Sequence, residues 1–391
     1  MRHKIPCLLF GMVLLAGCVI YVPRDVGEPP AGPPDEEVYR SDSDEYPYEM
    51  DSAGFYDYLA PYGVWVSYRP YGYVWIPRRV GHRWRPYSSG RWLWTDYGWT
   101  WIAQEDWGWI PFHYGRWGWD RALGWYWVPG TVWSPAWVTW RWGDLYIGWA
   151  PLPPGIDFAG GMGIGGPYDF PHHYWVFVEG RYFQHDYLDR YALPYERNVS
   201  ALRFAVRKSE LALRNRQIFN DGVDVEEVRR LTRTAVSRHE IEDARGPKDN
   251  SVSGGSVRIY RPAMKKNEAA RPKSYLEKDE AERDLPRIRE SDLERNGASA
   301  PSAERLAEDQ EREMRILERS QEEEKAELKR RLENEEKNAS TAAEKQKAAK
   351  EGEVRAGELR KAHDEEKAKV DERHQEEKKV IKGKIRKKEG D

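Results

Sequence analysis

The chain has 391 residues, with 63 Lys and Arg against 66 Asp and Glu, for a net charge of −3. That balance argues against a nucleic-acid binder, which would carry a basic face. The two cysteines, Cys7 and Cys18, both stand near the start, so the rest of the chain holds neither a disulfide framework nor a thiolate metal site.

Residues 1–18 read as a targeting segment. Arg2, His3 and Lys4 precede an apolar run from Ile5 to Leu15, too short to span a bilayer but suited to a secretory signal. The segment ends Leu14-Leu15-Ala16-Gly17-Cys18, which resembles the bacterial lipoprotein signal. The resemblance implies cleavage after Gly17 and lipidation (palmitate among the acyl chains) of Cys18; several chains on one Cys anchor stably. Val19 and Ile20 follow, with no Asp beside the Cys, and by the same resemblance this favours the outer membrane. Residues 19–60 read as a tether, because Pro29-Pro30, Pro33-Pro34 and the acidic run Asp42-Ser43-Asp44-Glu45 favour extended, solvated chain.

Residues 61–195 form the expected Trp-rich domain. Of 19 tryptophans, all but Trp175 lie between Trp65 and Trp149. One phrase recurs as Tyr71-Gly72-Tyr73-Val74-Trp75, Tyr97-Gly98-Trp99-Thr100-Trp101 and Leu123-Gly124-Trp125-Tyr126-Trp127, so that Trp75, Trp101 and Trp127 are spaced by 26 residues. Gly90-Arg91-Trp92-Leu93-Trp94 and Gly115-Arg116-Trp117-Gly118-Trp119 interleave with it, and Trp-x-Pro recurs at Trp84, Trp109 and Trp133. Aromatics alternating on either side of a Gly turn predict β-hairpins with one aromatic face. A fourth, less regular hairpin joins Trp140 and Trp142 to Trp149. Packing of the aromatic faces against one another would form the core. Trp92, Trp94, Trp99, Trp101, Trp117, Trp119, Trp125 and Trp127 are the candidates for an additional stacking platform that meets sugar rings or a partner chain.

Gly160-Gly161-Met162-Gly163 is followed by Pro167 rather than by a helix, so this run is a linker and not a phosphate loop. Residues 174–183 predict a further hairpin turning at Glu179-Gly180. His172, His173 and His185 lack the spacing and further ligands of a metal site. Residues 196–265 read as a small α+β unit, with strands at 201–206, 235–242 and 256–260, a helix at 224–231 capped by Asp224, and a connecting loop at 249–255.

The Tyr-Gly-x-x-Trp and Gly-Arg-Trp phrases, Gly148-Trp149-Ala150-Pro151, Gly180-Arg181-Tyr182-Phe183, Asn198-Val199 and the stretch from Gly222 to Pro262 together resemble an uncharacterised bacterial family of exported, Trp-rich proteins. Some members are fused to sigma-regulator-type envelope domains. The resemblance spans roughly residues 60–262, implies an envelope location, and carries over no catalytic residue. Ala103 stands where the other repeats have Pro.

Residues 266–301 read as a linker. Residues 302–391, rich in Glu, Lys, Arg and Ala, predict a long charged helix, solvated alone or paired in a coiled coil. Glu-to-base pairs such as Glu311–Arg315 and Glu327–Arg331 support it. Its apolar seam is thin, with Leu306, Leu317 and Leu328 each 11 residues apart, and Gly352 and Gly357 interrupt it. The basic end could meet anionic headgroups or wall polymer.

The expected fold is therefore mainly β, built of Trp-rich hairpins, with a small α+β unit and a long C-terminal helix. Glu105, Asp106, Asp120, Asp144 and His113 lie among the tryptophans, but these acids sit in turn-like contexts, and no nucleophile elbow, zinc motif or phosphate loop accompanies them. The expected role is structural or adhesive, without enzymatic activity, cofactor or metal. The partner would be peptidoglycan, another envelope polysaccharide or an envelope protein, bound through the Trp face. The alternative is a signalling or assembly module acting through the C-terminal helix, with a homo-oligomer formed through that helix as one form of it; a wall hydrolase is a minor third reading.

Overall fold

The structure is a computed structural model that describes residues 48–81, 83–155, 170–209, 211–214, 217–295 and 303–389. The expected signal segment with Cys18, the tether as far as residue 47 and the glycine run at 160–166 lie outside the described residues.

Each Trp phrase folds as a β-hairpin. The first pairs Gly63–Tyr68 with Gly72–Pro77, the second Gly90–Thr95 with Gly98–Ala103, the third Arg116–Asp120 with Gly124–Val128 and the fourth Val138–Trp142 with Tyr146–Pro151. The Gly of the repeated phrase closes the first three turns. Gly72, Gly98 and Gly124 have φ of 77°, 88° and 78°, a left-handed conformation that costs glycine little.

The spacing of 26 residues places one Trp at the same register in successive hairpins. Trp65 stands directly opposite Trp75, Trp92 opposite Trp101, Trp117 opposite Trp127 and Trp140 opposite Trp149. Opposed residues of an antiparallel pair share a face, and none of these eight indoles is more than 3% exposed. They meet edge to face or tilted, as in Trp92–Trp101 at 4.9 Å and Trp92–Trp140 at 4.6 Å. The Gly that opens each of the first three repeats makes room for this. A Cβ on Gly63, Gly90 or Gly115 would lie 2.2, 2.6 or 2.7 Å from the indole of Trp75, Trp101 or Trp127.

A buried indole N–H needs an acceptor, and the strand carbonyls are already committed to the ladder. Segments outside the hairpin strands supply acceptors for most of these indoles, while Trp92 and Trp101 have none among the described residues. Trp75 donates to the Leu59 carbonyl at 3.0 Å, Trp117 to Pro111 at 2.8 Å, Trp127 to Tyr114 at 2.7 Å and Trp149 to Tyr87 at 2.8 Å. The core thus fixes its own loops.

The hairpins lie in three sheets. The first and third join edge to edge where Trp75 meets Trp127, and Leu276–Glu277 extends that sheet. The second is extended by Arg238–Asp243, Ser256–Ile259 and Ser251–Ser253. The fourth is flanked by Val176–Glu179 and Arg207–Ser209. Residues 196–265 therefore pair directly with the Trp strands. Asn220, fully buried, ties two hairpins together: its side chain donates to the Trp99 carbonyl at 2.7 Å and accepts from the Trp140 indole at 2.6 Å.

Several local expectations are corrected. Residues 48–60 are folded and are not tether. Asp51 caps α1 (Ser52–Leu59), whose Phe55 and Leu59 are buried, and Glu49–Asp51 pairs in parallel with Ala263–Lys265. Only Val176–Glu179 of the expected 174–183 hairpin is a strand; its partner is the fourth hairpin, and a 3-10 turn follows at Gly180–Tyr182. The expected strand at 201–206 is helix α2 (Asn198–Phe204), because Ala201 and Phe204, one turn apart, are both buried. Helix α3 (Val225–Thr232) follows the Asp224 cap as expected. The 249–255 loop contains Ser251–Ser253, which pairs with Ser256–Ile259. The 266–301 linker contains a strand and α4 (Lys278–Arg295); Ala281 and Leu285, four residues apart, pack on Val66 and Val74.

The C-terminal segment is two helices, α5 (Ala303–Asn338) and α6 (Ala342–Glu389). Thr341 and Glu344 form a capping box: the Glu344 N–H donates to Thr341 Oγ1 at 3.2 Å, and the Thr341 N–H donates to the Glu344 carboxylate at 3.0 Å. The chain reverses there. The pairings Glu335–Arg355, Glu324–His363 and Glu313–His374 show the two helices antiparallel. Gly352 lies against Leu332, allowing close approach. Leu306 and Leu317 are buried, and the buried Ile316 and Leu359 join Leu328 in the cluster that holds Phe204 and Trp175.

Much of that seat is ionic. Arg197, with no solvent exposure, donates to Glu324 at 2.6 Å and to Glu366. Tyr146 also donates to Glu324, at 2.9 Å, and Ser200 to Glu366. Arg373 binds Glu196 at 2.7 Å and Glu313 at 2.6 Å. Arg319 and Arg181 share Glu179. Buried pairs of this kind specify geometry more than they add stability.

Two outcomes follow from this packing. Trp127→Ala should lower unfolding free energy by about 3–5 kcal/mol, whereas Trp119→Ala, at the rim, should cost much less; denaturant melts of both variants compare them. Arg197→Ala strands two buried carboxylates at a cost on the order of 3–5 kcal/mol, and should speed protease cleavage within 303–389. Unchanged cleavage would mean that the ion pairs do not hold the helices down.

Candidate functional site

The eight candidate tryptophans separate by depth. Trp92, Trp99, Trp101, Trp117 and Trp127 are core and offer no face to solvent. Trp94 is half-buried against Trp99, with ring centroids 5.3 Å apart. Trp119 and Trp125 stand opposite each other near the tip of the third hairpin, one step outward from the buried Trp117–Trp127 pair. Trp119 is 39% exposed and Trp125 half-buried. One continuous aromatic face thus runs from core to surface, and its outer end is the accessible part of the platform.

A second element completes this edge. After Pro171 the chain makes a 3-10 turn at His172–Tyr174, held because Asn198 Nδ2 donates to the carbonyls of His172 at 2.7 Å and Trp175 at 2.8 Å. The turn sets the His173 ring 4.6 Å from Trp119 and the Tyr174 ring 4.7 Å from Trp125. Burial and the neighbouring His172 lower the His173 pKa to about 4, so it is neutral at pH 7. The edge therefore combines a flat indole face with a neutral imidazole whose Nε2 is shielded. Such a surface can stack on the C–H face of a sugar or seat an aromatic side chain. In the sequence His173 stands only among three histidines without metal-site spacing and Tyr174 only at the start of an expected hairpin, and nothing in their spacing links them to Trp119.

Most of the residues weighed for catalysis are engaged by partners of their own. Asp120 accepts from the Ala122 and Leu123 N–H groups and from the Tyr68 hydroxyl at 3.0 Å. Asp144 pairs with Arg230 at 2.9 Å, and Asp106 is exposed. His113 is buried, its Nδ1 2.9 Å from the Ser134 carbonyl, and burial lowers its pKa to about 4. Glu105 accepts from the Trp84 indole at 2.7 Å, while its Oε2 is shielded with no hydrogen-bond partner among the described residues. Burial pushes that carboxyl up to about 7. Among the described residues, no group of three or more His, Cys, Asp or Glu is arranged to hold a metal ion. No described helix is long and apolar enough to cross a membrane.

The Glu105 environment fixes a pH dependence. The unfolded chain releases this proton near 4.5 and the folded chain near 7, so its contribution to stability declines as pH rises through that interval. Glu105→Gln should flatten the decline and leave the variant more stable than the parent above pH 7; thermal melts at pH 5 and pH 8 measure this.

No curated protein and no solved structure matches the chain. The four hairpins do have relatives in sequence: residues 56–156, from α1 to just beyond the fourth hairpin and short of the expected limit at 262, match a family of unknown function, DUF6600.

Proposed function

We propose that this chain is a lipid-anchored envelope protein, held through Cys18 at the bacterial outer membrane, with a structural or adhesive role. Its Trp-rich β domain binds an envelope polymer or protein. The observation that carries the reading is the Trp119–Trp125 edge. An exposed indole costs solvation that a core position would recover, yet here the repeat continues past the core to a surface backed by His173 and Tyr174. A rigid flat ring on a buried scaffold is well suited to a polymer of repeating rings, since little side-chain entropy is lost on contact.

A second reading, assembly through the C-terminal helices, draws support from the ionic seat of α5 and α6. Their outward faces are densely charged, which suits a protein partner or a second copy.

Two measurements test these readings. Cys18→Ala should move the protein from the membrane fraction to the soluble periplasmic fraction. In pull-downs with purified peptidoglycan and envelope polysaccharide, Trp119→Ala should weaken retention by about tenfold, equivalent to ~1.4 kcal/mol. Retention by a protein alone, abolished by breaking the Arg197 seat and indifferent to Trp119, would replace the polymer reading with the assembly reading.

A further inference from the structure

A cleft of about 550 Å³ opens on the sheet formed by the first and third hairpins. Four parts of the chain supply most of its lining: α1 (Phe55 and Tyr56), the turn of the first hairpin (Arg69 to Tyr73), the base of the third hairpin with the segment that follows it (Gly115, Arg116 and Val128 to Val132), and residues 266–271. Its volume lies in the range of sites for small organic ligands, so it suits a short oligomer better than a single small ion.

The charge on its walls is one-sided. Arg69, Arg116, Lys266 and Arg271 line it against one carboxylate, Glu268, on a chain whose overall balance is −3. Lys266 and Glu268 are 3.4 Å apart and offset each other. Arg69 and Arg271, both exposed, have neither ion pair nor hydrogen bond among the described residues. Arg116 is oriented in advance. Its guanidinium lies 3.3 Å above the Trp137 ring, and its Nη1 donates to the Gly115 carbonyl at 2.9 Å. Stacking of this kind fixes the plane of the donor fork, which is what recognition of a carboxylate requires. The wall also carries aromatic rings: Tyr56 and Tyr73, centroids 6.1 Å apart, meet edge to face.

The cations come from three stretches of the chain: Arg69 from the first hairpin, Arg116 from the third, and Lys266 and Arg271 from residues 266–271. A ligand with a single anionic group would leave most of this charge unmatched. A ligand with an anionic group on each successive ring would engage several at once while its ring faces lie on tyrosine. We propose that this cleft binds an acidic glycan, a short run of carboxylate-bearing sugars. The inference rests on the reading of the β domain as a polymer binder and names the class of polymer, but it does not depend on the Trp119 edge.

The full mature chain with Cys18 replaced by Ala, titrated with oligogalacturonate and with a neutral cello-oligosaccharide of equal length, tests it. Oligogalacturonate should bind and the neutral oligomer should bind at least about tenfold more weakly; raising the salt should weaken the acidic ligand selectively. Arg69→Glu with Arg271→Glu should remove most of the oligogalacturonate affinity, while Trp119→Ala leaves it in place. Both arginines are exposed, so circular dichroism should show the fold intact. Oligogalacturonate binding that survives the double charge reversal would overturn the cleft assignment. If only Trp119→Ala abolishes binding, the polymer reading stands and the cleft falls. If neither glycan binds and peptidoglycan is not retained, the polymer reading falls with it.

Discussion

The structure depends on the opposed pair of indoles at the buried end of each hairpin. A hairpin alone has too little shared apolar surface to persist in water. Four of them, each contributing two large rings to one centre, supply that surface. The interaction is also directional. Each indole brings a donor, and Trp75, Trp117, Trp127 and Trp149 satisfy theirs at the carbonyls of Leu59, Pro111, Tyr114 and Tyr87, while Trp92 and Trp101 have no acceptor among the described residues. The same residues that close the core therefore set where its connections run. Asn220 applies this logic once more, at the contact between the second and fourth hairpins.

Around this aromatic centre the rest of the chain is attached by two different kinds of bonding. Strands from 176–277 extend the hairpin sheets through backbone pairing. Helices α5 and α6 are attached by side chains, with Arg197 and Arg373 at the centre of two ionic clusters. Backbone pairing is insensitive to sequence, whereas a desolvated ion pair fails when one partner is changed. The helical hairpin is thus the part of the molecule whose position is most dependent on single residues.

The hairpins were legible because three signals agreed: alternation of aromatics, a Gly where left-handed backbone was needed, and a constant period. α3 was legible through its Asp224 cap. Other elements were hidden for physical reasons. The α2 segment carries Leu202, Phe204 and Val206 in a strand-like alternation, while the tertiary contacts favour burial of Ala201 and Phe204, one helical turn apart. α1 was absorbed into a tether by the composition before it, although Asp51 and the spacing of Phe55 and Leu59 signalled a short helix. The reversal between α5 and α6 was signalled by Thr341 and Glu344, a local cue that the overall composition outweighed. Of the candidate site, the repeat identified Trp119 and Trp125 but could not separate them from their buried counterparts, since depth is set by how far a strand projects beyond its neighbours. Arg197, Asn220 and the cleft cations come together only by long-range packing and leave no periodic trace.

The parallel ribbon of Glu49–Asp51 with Ala263–Lys265 has a mechanical consequence. Tension drawn between the chain before residue 48 and the chain after residue 265 runs along both strands in opposite senses, so the ribbon is loaded in shear. Its three paired positions, Glu49 with Ala263, Met50 with Met264 and Asp51 with Lys265, must give way together instead of peeling open in turn. A pull on the amino-terminal side therefore meets a clasp before any strain reaches the indoles.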